Sequence, residues 1–188
     1  AVSGTGSSPA PFSYAPTANW FGADSFVVRV SDGSSAATAT VNVNVSSVND
    51  VPVITKGSSA TVTMSEDGSP VAWTPPALSA TDVEGAASLV WSVSAPPANG
   101  TAAVGGTGAS PSTFTYVPAA NFTGSDSFTA QVSDGQAVDT FTVNVNVSSV
   151  NDAPVIAQGN AVSVTMSEDG APVAWSPPTM TGSDPDAG

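Results

Sequence analysis

The sequence predicts an all-β fold, with β-sandwich units strung in tandem at a period of 102 residues. Three observations predict it. Apolar and polar residues alternate at period two in one short run after another, the mark of half-buried strands. Between the runs lie SEDG, TPP, APPANG, VPAANFTG and SDG, all rich in turn formers and breakers. Finally, NVNVSSVNDVPVI from Asn42 to Ile54 returns as NVNVSSVNDAPVI from Asn144 to Ile156. The offset, 151 − 49 = 102, also joins Tyr14 to Tyr116, Asp32 to Asp134, Glu66 to Glu168 and Trp73 to Trp175, with no insertion or deletion. Of the 86 positions that have a counterpart, 50 are identical. Such a repeat is domain-sized and too long for a solenoid unit. It divides the chain into the later part of one unit (1–50), a complete unit (51–152) and the first part of the next (153–188), with positions 87–102 occurring once.

Along the complete unit the elements follow in order. Val62 with Met64, and then Val71 with Trp73, predict two short early strands. Leu89, Trp91 and Val93 predict a third, and Thr113 to Tyr116 a fourth. Phe128, Ala130 and Val132 alternate with polar neighbours in the same way. The last strand is the clearest, with Phe141, Val143, Val145 and Val147 alternating with Thr142, Asn144, Asn146 and Ser148. No segment carries a helical period. Six or seven short antiparallel strands per unit form the pattern of an immunoglobulin-like sandwich, whose core or its margin should hold the four Trp.

Composition closes off several functions. The chain has 188 residues with two basic and fifteen acidic side chains, no His and no Cys, and a net charge of −13. Arg29 and Lys56 cannot supply the cationic cluster that nucleic acid requires. No apolar run is long enough to span a bilayer, and no signal peptide is visible. Without Cys there is no disulfide framework, and without His the commonest general base is missing. The paired carboxylates recur in every unit with no unrepeated cleft residues beside them, so no enzyme is expected.

The acids hold their phase. Asp24/Asp126, Asp32/Asp134, Asp50/Asp152, Glu66/Glu168, Asp67/Asp169, Asp82/Asp184 and Glu84/Asp186 are all acidic pairs at the 102 offset, which leaves only Asp139 facing Ala37. The bases drift, with Arg29 opposite Gln131 and Lys56 opposite Gln158. Two readings meet here. SDG, EDG and ND are good turn formers whose side chains cap local backbone. Carboxylates gathered in turns at strand ends, without cations, also form all-oxygen sites suited to calcium. For the acids as a set, the shared phase favours calcium.

VNDAPV, TMSEDG, TDVEG and FTYVPAANFTGSDSFTAQVSDG together resemble the cadherin-like tandem repeats of giant bacterial surface proteins and adhesins, over the whole chain. The resemblance implies calcium at the unit junctions. Asn49 with Asp50, and Asn151 with Asp152, match the linker Asn-Asp, while Asp82 with Glu84, and Asp184 with Asp186, match an Asp-x-Asp motif. Asp32 and Asp134 match the Asp ending a late strand, and Glu66 and Glu168 the Glu after the first strand. The implied arrangement gathers Asn49, Asp82, Glu84 and Asp134 at one apex and Glu66, Asp126 and Asp152 toward the other. The linker's leading Asp is Ser149 here, its last Asn is Ala153 or Val51, and an Asp-Arg-Glu motif is missing near Asn121. One or two ions per junction are therefore expected, not three.

The expected role is an extracellular spacer on a bacterial cell surface, the stalk of an adhesin or surface filament, whose partners are neighbouring repeats of the same or an identical chain. Cell-surface ligands would engage other domains. A second expectation is a filament subunit in which the tail of one chain completes the head of the next by strand addition. A third is a sugar- or surface-binding module using Trp20 or Trp91.

Overall fold

The computed structural model describes residues 13–186. It is all-β apart from one 3-10 turn at Ala86–Ser88. The leading segment forms a hairpin of β1 (Gly22–Ser31) and β2 (Ala36–Val45), paired antiparallel. The central segment carries β3 (Val53–Ile54), β4 (Ser59–Ser65), β5 (Ala80–Thr81), β6 (Val90–Ala95), β7 (Gly100–Thr107), β8 (Thr113–Pro118), β9 (Gly124–Ser133) and β10 (Val138–Ser148). The trailing segment adds the short pair β11 (Val155–Ile156) and β12 (Gly182–Ser183).

In the central segment one sheet runs β4-β10-β9-β6-β7-β8, with β3-β5 as a small second sheet. β8 is three strands from β9 in that order, yet Tyr116 of β8 stacks on Phe128 of β9, with ring centroids 5.9 Å apart and planes at 3°. The sheet therefore curls back over itself and closes a sandwich core. Phe141, Val143, Val145 and Val147 of β10 enter that core with Phe128, Ala130 and Val132 of β9, Trp91 and Leu89. The alternation of β10 is therefore one face in core and one in water.

The structure departs from the sequence reading in four places. First, Val71 to Trp73 make no ladder. Pro70, Pro75 and Pro76 remove donors from this stretch. It is anchored instead by Ser65 N–H to the Val71 carbonyl (2.8 Å) and by Trp73 Nε1 to the Phe114 carbonyl (3.3 Å). Second, β7 went unpredicted because GTAAVGGT carries little apolar contrast. Its Gly100 fits closely, since a Cβ there would stand 2.5 Å from the Val117 carbonyl oxygen. Third, the strands are not all antiparallel: β4 pairs parallel with β10, from Thr142 opposite Ser59 to Ser148 opposite Ser65. Fourth, Trp91 is buried and Trp73 packs against the core, but Trp20 and Trp175 are exposed.

Candidate metal centres at the linkers

The parallel pairing of β4 with β10 sets the geometry of the second linker. Because the two strands end side by side, Glu66 emerges next to the chain leaving β10, and its N–H bonds to the Ser148 carbonyl at 3.1 Å. Glu66 Oε1 then accepts the N–H of Val150 at 2.8 Å. Asn151 Nδ2 donates to the Asp152 carbonyl (2.9 Å), which turns the linker, and Asp152 N–H donates to Asp186 Oδ2 (2.5 Å). Asp186 N–H in turn donates to Asp184 Oδ1 at 3.0 Å.

Glu66, Asp152 and Asp186 come together, each offering an oxygen within 4.8 Å of the others. Oxygens gathered this closely can reach one ion at the ~2.4 Å of a calcium–oxygen bond with small side-chain movements. Asp152 Oδ2 is buried and accepts no hydrogen bond among the described residues. Burial, followed by the charges of Asp67, Asp186, Glu66 and Asp184, pushes the Asp152 carboxyl above its ordinary pKa. A buried carboxylate oxygen without a donor, facing further carboxylates, is stabilised either by a proton or by a cation.

The first linker repeats part of this scaffold. Asn49 Nδ2 donates to the Asp50 carbonyl (2.9 Å), Asp50 N–H to Glu84 Oε2 (3.2 Å) and Glu84 N–H to Asp82 Oδ1 (2.9 Å). Asp82 Oδ2 is likewise buried without a partner among the described residues. A connection to the β9–β10 turn is added here. Asn49 Nδ2 also reaches Asp134 Oδ2 (2.8 Å), while Gln136 Nε2 donates to Asn49 Oδ1 (3.0 Å). Asp134 Oδ1 accepts the N–H groups of Gln136 and Ala137, and these bonds with that of Asn49 hold its carboxyl below the ordinary range. Asn49 thus joins Asp134 to the hydrogen-bonded run of Asp50, Glu84 and Asp82.

The remaining expected ligands stand elsewhere. Asp126 is buried, and its two oxygens accept the N–H groups of Ala98, Asn99 and Ser127 and the hydroxyl of Tyr116, all at 2.8–3.0 Å. Burial alone would raise its pKa, but the four hydrogen bonds outweigh this and lower it. Asp126 is therefore tied to the sandwich and not brought to the linker cluster. Asp32 caps its own hairpin turn through the N–H groups of Ser34 and Ser35. Glu168 lies in the turn after Ser167 and joins no acidic cluster among the described residues.

Two contributors were missing from the sequence reading. Ser149 occupies the position of the linker's leading Asp, and its hydroxyl donates to Asp186 Oδ1 at 3.3 Å, as Ser47 does to Glu84 Oε1 at 3.1 Å. The retained SSV phrase was the signal. Asp67 contributes its charge at Asp152, and its phase lock with Asp169 had already marked it.

Comparison with known proteins agrees with this architecture. No curated protein matches the chain. Among solved structures, the extracellular cadherin domains 1–5 of protocadherin gamma B2 match over 88% of this chain and 32% of theirs, at 17% identity and a TM-score of 0.51. That likeness is one of fold. An endo-fucoidan hydrolase of glycoside hydrolase family 107 matches over 82% of this chain and 24% of its own, at 19% identity and a TM-score of 0.41. Domains 4 and 5 of an S-layer protein match over 65% of this chain and 58% of theirs, at 18% identity and a TM-score of 0.37. The chain spans under two thirds of each of these structures. The family model described as bacterial Ig domain matches residues 1–44 and 49–146. The chain accordingly belongs to the bacterial Ig domain family.

Proposed function

We propose that the chain is a stretch of an extracellular bacterial stalk, in which residues 51–152 form one full repeat and calcium at the linkers stiffens the hinge between repeats. The observation that carries this is the convergence of Glu66, Asp152 and Asp186 from either side of one linker, with Asp152 Oδ2 buried and undonated. Glu66 belongs to the unit before the linker and Asp186 to the unit after it, so an ion shared between them ties two units together. Asp184 and the neighbouring Asp67 add charge to the same centre. At the first linker Asp50, Asp82 and Glu84 would hold the corresponding ion, and Asn49 and Asp134 would fix the turn beside it. Calcium suits a donor set made wholly of oxygen. Without the ion, clustered carboxylates repel and the linker opens; with it, the repulsion becomes shared ligation.

Small-angle scattering and single-particle imaging test the reading. Calcium should narrow the spread of angles at the Asp152 linker and chelation should widen it. An identical spread in both conditions overturns the stiffening role.

A further inference from the structure

One cleft shares its polar wall with the first linker but has an aromatic wall that the linker chemistry does not explain. It lies beside the first linker, has a volume of about 310 Å³, and is walled by Trp20 and Phe21 on one side and by Ser47, Asn49, Asp50 and Glu84 on the other. The repeat supplies an internal control for its aromatic wall. The loop that carries Trp20 has the same backbone as the loop that carries Phe122: Asn19 and Asn121 share a left-handed φ of 60° and 57°. Trp20 N–H reaches the Thr17 carbonyl at 3.2 Å, as Phe122 N–H reaches that of Ala119 at 3.1 Å. The aromatic ring folds over the glycine that follows, 4.0 Å from a Cβ placed at Gly22 and 3.9 Å from one at Gly124.

On this common scaffold the side chains differ. Trp20-Phe21 stands where the central segment has Phe122-Thr123. Thr123 is exposed although a full sandwich surrounds it, so the position is a surface one, and Phe21 is 44% exposed. Phe21 therefore presents a ring to solvent that the sandwich core does not require. Opposite it, no hydrogen bond is made to the Asp50 carboxylate among the described residues, whereas Glu84 is held by Ser47 and the Asp50 N–H.

We infer that this cleft binds a neutral sugar. Aromatic faces accept the C–H face of a pyranose, and carboxylate and amide groups across from them hydrogen-bond its hydroxyls. The volume falls at the small end of the ~300–1,000 Å³ typical of small-molecule sites, which suits one or two sugar residues. The chain's two bases, Arg29 and Lys56, do not line the cleft and, without an ion on Asp50 and Glu84, its polar wall is anionic, so sulfated or uronic sugars are repelled. The distinctive ring is that of Phe21, while Asp50 and Glu84 are shared with the proposed ion site, so the sugar is tested in chelator, where its binding can hold or fail independently of the stiffening role.

The test is calorimetric titration of the whole chain, in chelator, with neutral disaccharides built on glucose, galactose, mannose and N-acetylglucosamine, beside a sulfated disaccharide. At least one neutral disaccharide should bind saturably. Phe21→Thr, which installs the residue of the central loop at an exposed position, should weaken it about tenfold, and Trp20→Phe should weaken it less. Absence of neutral binding at millimolar concentration, equal binding of the sulfated sugar, or binding unchanged in both variants overturns the assignment.

Discussion

The two linkers share their sequence phrase but not their completeness. At the first, Asp50, Asp82 and Glu84 are arranged by the same backbone hydrogen bonds that arrange Asp152, Asp184 and Asp186 at the second. At the second, Glu66 joins Asp152 and Asp186, and among the described residues only there do three carboxylates fall within reach of one ion. The counterpart of Glu66 one period earlier lies outside this sequence. The linker motif alone therefore makes half a site. The other half comes from the turn after β4, placed there by a strand pairing some eighty residues apart in sequence.

The largest effect should separate what belongs to the sandwich from what belongs to the linker. Asp126→Asn puts an amide where four donors converge, so at least one N–H faces another donor in a buried site. It should destabilise the central sandwich by about 2–3 kcal/mol in denaturant unfolding, with calcium affinity unchanged. Among the described residues its counterpart Asp24 accepts only the Tyr14 hydroxyl and the N–H of its neighbour Ser25, and it is exposed. Asp24→Asn should cost much less. A fall in calcium affinity on Asp126→Asn would return that residue to the ligand set.

The next effect contrasts the linkers directly. Asp152→Asn removes the charge of the central ligand and should lower calcium affinity at the tighter site by at least about tenfold, while Asp50→Asn leaves that site as it was. Calcium titration by calorimetry reads both. Equal losses in the two variants would mean that Glu66 contributes nothing and that the linkers are equivalent.

These contrasts show what the sequence could and could not disclose. Period-two alternation found β9 and β10 because Phe, Val and Ala point one way and Thr, Ser and Asn the other. It missed β7, where Gly and Ala give no contrast, and misplaced a ladder at Val71–Trp73, where prolines deny the donors. The repeat located every acid of the candidate site but could not tell a ligand from a structural carboxylate. Asp126 and Asp152 are both phase-locked, and what divides them is whether donors reach their oxygens, which depends on Tyr116 and the Ala98–Asn99 backbone folding over one and not the other. The exposure of Trp20 and burial of Trp91 are set by tertiary neighbours in the same way.

The smallest effect is the pH response, and it has opposite signs at the two linkers. Asp134 has a lowered pKa, because the Ala137 N–H, the Asn49 amide and the Gln136 N–H stabilise its charged form. Its contribution to stability is present above the ordinary Asp value of about 3.9 and is lost as pH falls through the lowered one. Asp152 has a raised pKa through burial and its acidic neighbours. Its contribution is complete below about 3.9 and is lost as pH rises through the raised value. In chelator, carboxyl-carbon chemical shifts should therefore place the Asp152 midpoint above the Asp134 midpoint. Calcium should pull the Asp152 midpoint down, because the ion competes with the proton for the same buried oxygen, and calcium binding within that window should release protons. Were Asp152 to titrate at or below Asp134 without calcium, the buried oxygen would already have a donor, and the second linker would have no need of an ion.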